Sequence, residues 1–154
     1  MKPLLIIKAG PTFPTTKQKF GDFEDWVIDA YDAPREVFAV IDMAESQGLP
    51  EAERIPGLSY GFPCDGNWPG ILVQKLADWI PKVLDRNIPT LGICFGHQKL
   101  AQSLGGLVAF HPGGREIDTV PITLTPEGKQ DYLLGALPEV FMDAQTVIRL
   151  PTGA

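Results

Sequence analysis

The sequence predicts an α/β domain built on a doubly wound, mostly parallel sheet with helices on its faces. Three observations point there. Apolar runs such as "LLIIKAG" (Leu4–Gly10), "EVFAVID" (Glu36–Asp42) and "IPTLGI" (Ile88–Ile93) suit strands buried on both sides. These runs alternate with segments of helical spacing. The first run ends in a glycine turn at Gly10. A length of 154 residues fits one domain, 1–154, with no internal repeat, low-complexity stretch or linker.

The elements follow in order. Leu4–Gly10 is the first strand, and "PTFPTTKQKFG" after it reads as a polar loop. Asp22 suits a helix N-cap, with Glu24 and Asp25 placing negative charge in the first turn and Phe23, Trp26, Val27 and Ala30 recurring at helical spacing. Glu36–Asp42 is a second buried strand. Ala44 to Pro56 is polar and weakly periodic, and "GLSYGFP" (Gly57–Pro63) is a short third strand flanked by prolines. Pro69 suits a helix start; Leu72, Leu76, Trp79, Ile80, Val83 and Leu84 form one apolar face, and Pro81 should kink or break it. After Ile88–Ile93, Leu100, Ala101 and Leu104 line a helix capped by Gly105-Gly106. Then come "VPITLT" as a strand, "GKQDYLLGAL" as a short helix and "TVIRLP" as a last strand.

Composition narrows the function. Apolar residues make up 44% and charged residues 21%, enough for a packed core. A net charge of −6, without a Lys/Arg cluster, disfavours nucleic acid. No apolar run approaches a membrane span, and the short run after Met1 reads as a strand rather than a signal peptide. Two widely spaced cysteines, Cys64 and Cys94, do not make a disulfide framework and suit a cytoplasmic setting. With His97 and His111 they lack zinc spacing, so no metal or cofactor is expected.

The chemistry concentrates in "GICFGHQ", Gly92 to Gln98. A residue at a sharp strand-to-helix turn is held strained with its side chain exposed. Gly92 and Gly96 flank Cys94 at minus two and plus two, removing β-carbons that would collide as the chain doubles back. The following helix aims its N-terminus at the sulfur and favours the thiolate, and the Phe95 N–H points at a developing oxyanion. These features suit attack on a carbonyl to form a thioester. The plain alternative is a small buried cysteine at a tight turn.

"GICFGHQ" resembles the G-x-C-x-G-x-Q signature of class I glutamine amidotransferases. "LLIIKAGPTFP…GDFEDW", "LADWIPKVLDRNIPTLGICFGHQKLAQSLGG" and "GGREIDTVPITLT" extend the resemblance over nearly the whole chain, to standalone members similar to the amidotransferase domain of GMP synthase. The resemblance implies a flavodoxin-like layout with the site at the carboxyl ends of the strands. It also implies that Cys94 attacks the side-chain amide of glutamine, that ammonia leaves, and that water frees glutamate from the thioester. By position Gln98 matches the glutamine-contacting residue and Phe95 one oxyanion donor. The second donor lies in a glycine-rich loop after the third strand, where Gly61-Phe62-Pro63 stands; "YGFP" departs from the usual Gly-Gly-Pro or Thr-Gly-Ser. No cofactor is implied. The implied partners are L-glutamine and a separate ammonia-accepting synthetase, unless the parent protein acts alone.

A base is the missing part. In the family, a His-x-Glu pair follows a late strand beyond the region matched by "VIRLPTGA", so these residues resemble roughly the first two-thirds of a member, truncated at the C-terminus with its last strands missing. His97, in the first helical turn, and His111, in "FHPGGRE", are the available histidines; both read more plainly as pocket-edge or loop residues. Relatives also carry a histidine before the Gln-Thr/Ser-Val where Asp143-Ala144 stands. Without a base the chain is expected to be impaired.

Other residues have bland readings beside functional ones. Trp26, Trp68 and Trp79 suit core or pocket rim; Cys64 suits structure; Arg115-Glu116 suits a surface ion pair or a family feature near the pocket; Asp22, Glu24 and Asp25 suit capping. Two other classes of function remain: a related cysteine hydrolase or DJ-1-like redox protein, and an inactive binding or regulatory module that keeps the fold.

Overall fold

The computed structural model describes residues 3–31, 33–45, 48–52, 55, 58–62, 70–109, 116–132 and 134–147. Two compact units are present, Met1–Gly106 and Leu107–Ala154.

The first unit is a four-stranded sheet, and all its pairings are parallel. Its strands are β1 (Leu4–Lys8), β2 (Phe38–Asp42), β3 (Leu58–Phe62) and β4 (Thr90–Cys94), in the order β2-β1-β3-β4. Its helices are α1 (Pro14–Phe20), α2 (Phe23–Ala30), α3 (Gly70–Leu84) and α4 (Phe95–Ser103). The α/β reading holds. Strand β1 is central, and Leu5, Ile6, Ile7 and Lys8 are all buried. Alternate side chains serve opposite faces. Leu5 and Ile7 pack with Trp79, Ile80 and Val83 of α3, while Ile6 packs with Ile28 of α2 and Phe95 of α4. The sheet is thus covered on both sides. Strand β2 differs from the reading of a strand buried throughout: it is one of the two edge strands and its residues are all half-buried. Arg35–Val37 forms a 3-10 turn before it.

Three expectations need correction. "PTTKQKF" is the helix α1, not a loop; Pro14 opens it, and no side chain of it is buried, so no apolar stripe announces it. Helix α3 runs through Pro81 to Leu84 instead of breaking. The buried Trp79, Ile80 and Val83 hold it, and Trp79 Nε1 donates to the Pro50 carbonyl at 2.7 Å. Leu104 does not line the inner face of α4 but is 67% exposed at its C-cap. The stop beyond it is a Schellman motif: Gly106 N–H donates to Ala101 O (2.8 Å) and Gly105 N–H to Gln102 O (3.1 Å), with Gly105 at φ 85°.

The second unit is an antiparallel ribbon, β5 (Glu116–Thr123) against β6 (Val140–Val147), in register from Glu116↔Val147 to Thr123↔Val140. The helix α5 (Pro126–Gln130) and a 3-10 turn (Leu134–Ala136) connect them, where one short helix was expected. Thr125 caps α5, its hydroxyl accepting from Gly128 N–H at 3.1 Å. Of the expected last strand, residues 148–151 lie outside the described residues.

Candidate active site

In a parallel sheet of this order the strand sequence reverses between β1 and β3, and ligands bind beyond the carboxyl ends of the strands there. Cys94 lies on that edge. It ends β4 and is the N-cap of α4, with φ 54° and ψ −113°. Apart from Asn87, it alone among the described non-glycine residues has positive φ. Such geometry costs of order 1–3 kcal/mol and persists only where the surroundings enforce it.

Two neighbours supply that enforcement. A β-carbon on Gly92 would stand 2.8 Å from His97 N and 2.9 Å from Gly96 C and O. Only glycine lets the first turn of α4 fold down so closely on β4. Phe95 then buries its side chain in the cluster of Ile6, Ala9 and Ile28, anchoring the helix start to the end of β1. The thiol of Cys94 is left exposed and makes no cap hydrogen bond to α4.

The parallel register carries the site across to β3. Phe62 is opposite Cys94, Gly61 is opposite Ile93, and Gly61 is opposite Lys8 on its other side. Gly61 and Phe62 lie within the third strand read from the sequence, although the resemblance matches them to the loop after it; they are the last two residues of β3, beside the elbow. Gln98 is half-buried in the first turn of α4, and His97 is exposed there. Among the described residues the His97 imidazole has no carboxylate partner. Pro63, Cys64, Trp68, His111 and Arg115 lie outside the described residues, so the readings made of them are not brought to the site. Trp79 is core, as expected, but Trp26 is 37% exposed, its Nε1 donating to the Phe20 carbonyl at 2.7 Å.

An ionic cluster beside this edge escaped the sequence reading. Lys8 is 3% exposed, and its Nζ meets Asp22 (3.0 Å), Glu24 (2.9 Å) and Asp42 (3.3 Å). Asp22, fully buried, also accepts from Thr12 N–H, Phe23 N–H and Lys17 Nζ, each at 2.9 Å. Burial alone would raise the Asp22 carboxyl, but bonds from Lys17, Thr12, Phe23 and Lys8 outweigh it and hold it well below the usual carboxylate range. Burial would likewise lower Lys8, but hydrogen bonds to Glu24 and Asp22 outweigh it and push the ammonium above the usual lysine range. Capping is part of the truth: Asp22 and Asp25 form a reciprocal capping box on α2. Glu24, however, turns to Lys8. The signal available was a lysine closing an otherwise apolar strand, which needs a buried partner.

Comparison with known proteins shows the family. The family described as glutamine amidotransferase class-I matches residues 60–148, more than half of the chain. The chain belongs to the class-I glutamine amidotransferase family. Curated proteins to which the chain is similar include gamma-glutamyl peptidase 4 of Arabidopsis thaliana, 32% identical over 82% of this chain and 51% of that protein. The glutamine-hydrolysing GMP synthase of Mycobacterium tuberculosis is 58% identical over 23% of the chain and 7% of its own length. The chain therefore spans about half, or much less, of the curated relatives it matches. Among solved structures, a glutamine amidotransferase from Methylobacillus flagellatus superposes with a TM-score of 0.69 at 25% identity, over 99% of this chain and 59% of that one. One from Thermotoga maritima shares the fold with a TM-score of 0.64 at 16% identity, over 99% and 64%. Among the described residues no helix is long and apolar enough to cross a membrane.

Proposed function

We propose that Cys94 is the nucleophile of a glutamine amidohydrolase that releases ammonia through a γ-glutamyl thioester. The observation that carries this is the exposed thiol held at positive φ on the tip between β4 and α4. The sulfur lone pair attacks the side-chain amide carbon, and the carbonyl π pair moves onto oxygen. Phe95 N–H, with a second backbone donor from Gly61-Phe62, stabilises that oxyanion, and Gln98 contacts the substrate. Collapse expels the nitrogen, which takes a proton and leaves as ammonia; water then cleaves the thioester to glutamate and the free thiol.

The proton transfers need a histidine–carboxylate pair, and neither His97 nor His111 belongs to a His-x-Glu sequence. Without such a pair protonation of the leaving ammonia suffers most, and the chain by itself is an impaired catalyst. Relatives named as GMP synthase and as the small chain of carbamoyl phosphate synthase support a separate ammonia-accepting synthetase as partner. We assign the cytoplasm as its setting, on its cysteine usage.

A second reading has an observation of its own: the peptidase relative matches 82% of the chain, the synthase 23%. In that reading the group leaving from the γ-glutamyl carbonyl is an amine larger than ammonia, by the same thioester route. Labelling with a glutamine-analogue diazo-ketone tests the shared step. One equivalent should attach at Cys94, and Cys94→Ala should not label; equal labelling of the variant would remove the nucleophile assignment. If the parent does not label at all, the inactive-module reading replaces this one. Glutamine and γ-glutamyl dipeptides compared as competitors of labelling then separate the two substrates.

A further inference from the structure

The connection between β1 and α2 starts from the carboxyl end of β1, and its helix adds nothing to the core. Helix α1 has no buried side chain, and Phe13 and Phe20 at its two ends are 78% and 62% exposed. Both flanks are glycines at positive φ, Gly10 at 139° and Gly21 at 80°. Polar contacts hold the segment down: Thr12 N–H and Lys17 Nζ on the two oxygens of Asp22, each at 2.9 Å, and Trp26 Nε1 on the Phe20 carbonyl.

Its root is next to the elbow. Ala9, just before Gly10, packs in the same cluster as Phe95. Lys8 is opposite Gly61, whose neighbour Phe62 is opposite Cys94. Two strand spacings separate β1 from β4, about 10 Å. A helix of the length of α1 is about 10 Å long, so the segment is long enough to span from its root to Cys94.

We infer that Pro11 to Phe20 is a strap that turns about Gly10 and Gly21 and closes over Cys94 when a γ-glutamyl amide binds. Closure keeps water from the thioester until the amine has left, and lays strap apolar surface, now exposed, against the occupied crevice. The ion pair of Lys17 with Asp22 is the latch of the open position. The Lys17 side chain is 53% exposed and exchanges readily into water, whereas Asp22 keeps Lys8 and Phe23 N–H when Lys17 leaves. This inference rests on the reading of Cys94 as nucleophile.

Lys17 and Lys19 make the strap a trypsin target. We expect the diazo-ketone adduct on Cys94 to slow cleavage after these lysines at least threefold, while the small carboxamidomethyl adduct of iodoacetamide leaves it unchanged. Equal cleavage of the two adducts overturns the strap. Absence of the diazo-ketone adduct would instead count against the amidohydrolase reading, and a second measurement then decides the strap alone. Unlatching by Lys17→Met should slow alkylation of Cys94 by a bulky neutral maleimide at least threefold, against no change for Lys19→Met, which removes the same charge. Equal rates in Lys17→Met and the parent overturn the proposal.

Discussion

Replacing Gly92 by alanine tests whether the elbow depends on the close descent of α4. The added carbon would stand 2.8 Å from His97 N and 2.9 Å from two backbone atoms of Gly96, where ordinary contact begins at 3.4 Å. None of these atoms belongs to a flexible side chain, so the first turn of α4 must retreat by about half an ångström or more, carrying Phe95 and the Cys94 peptide with it. Overpacking of this kind costs about 1–3 kcal/mol, a loss of several degrees in Tm for a chain of this size. Misplacement approaching 1 Å at a reacting group costs up to about 10²-fold in rate. Gly92→Ala should therefore lower the rate of diazo-ketone labelling about 10- to 100-fold and depress Tm. Gly48→Ala is the control, since its new carbon would meet nothing within 4 Å. Labelling of Gly92→Ala at the parent rate, with unchanged Tm, would refute this account of the elbow.

Three further outcomes are expected. Asp22→Ala removes a fully buried acceptor of four donors and leaves Lys8 with Glu24 and Asp42 only; a loss of about 2–4 kcal/mol should appear in urea unfolding. Because Asp22 titrates below the usual carboxylate range in the folded chain, its stabilisation is complete above the ordinary carboxylate value and fades as pH falls through the lower folded value. Tm measured from pH 6 down to pH 2 should fall, and the slope should be shallower in Asp22→Asn. Pro81→Ala restores a donor inside α3 and removes a ring from a helix interior, so chemical denaturation should show a gain of about 1–3 kcal/mol.

Local signals made much of this fold legible. Strands β1 and β4 are nearly continuous apolar runs, and the elbow is written in Gly92, Cys94 and Gly96 within five residues. The caps of α2 and α4 are equally local, in Asp22 and in Gly105-Gly106. Features that depend on distant partners were not legible. Lys8 meets Asp22 and Glu24 from 14 and 16 positions away, and a lysine at a strand end gives no hint of which carboxylate it finds. Helix α1 has polar residues where a buried stripe would be, so periodicity passes over it. Pro81 is a local rule overruled by the packing of Trp79, Ile80 and Val83. Period-two runs such as "VPITLT" identify a strand but not its partner, and β5 and β6 pair antiparallel with each other. "GLSYGFP" reads as a strand, but nothing in it reveals that Gly61 and Phe62 end that strand beside Cys94, where the resemblance implies a loop for the second oxyanion donor.

The central claim, that Cys94 forms a thioester with a γ-glutamyl group, is tested most directly by intact mass after brief incubation with glutamine and acid quench. We predict a population heavier by one γ-glutamyl group, mapped to Cys94, with ammonia released in equal amount and no such species in Cys94→Ala. Ammonia release that continues undiminished in Cys94→Ala, or an adduct mapped to another residue, would contradict it.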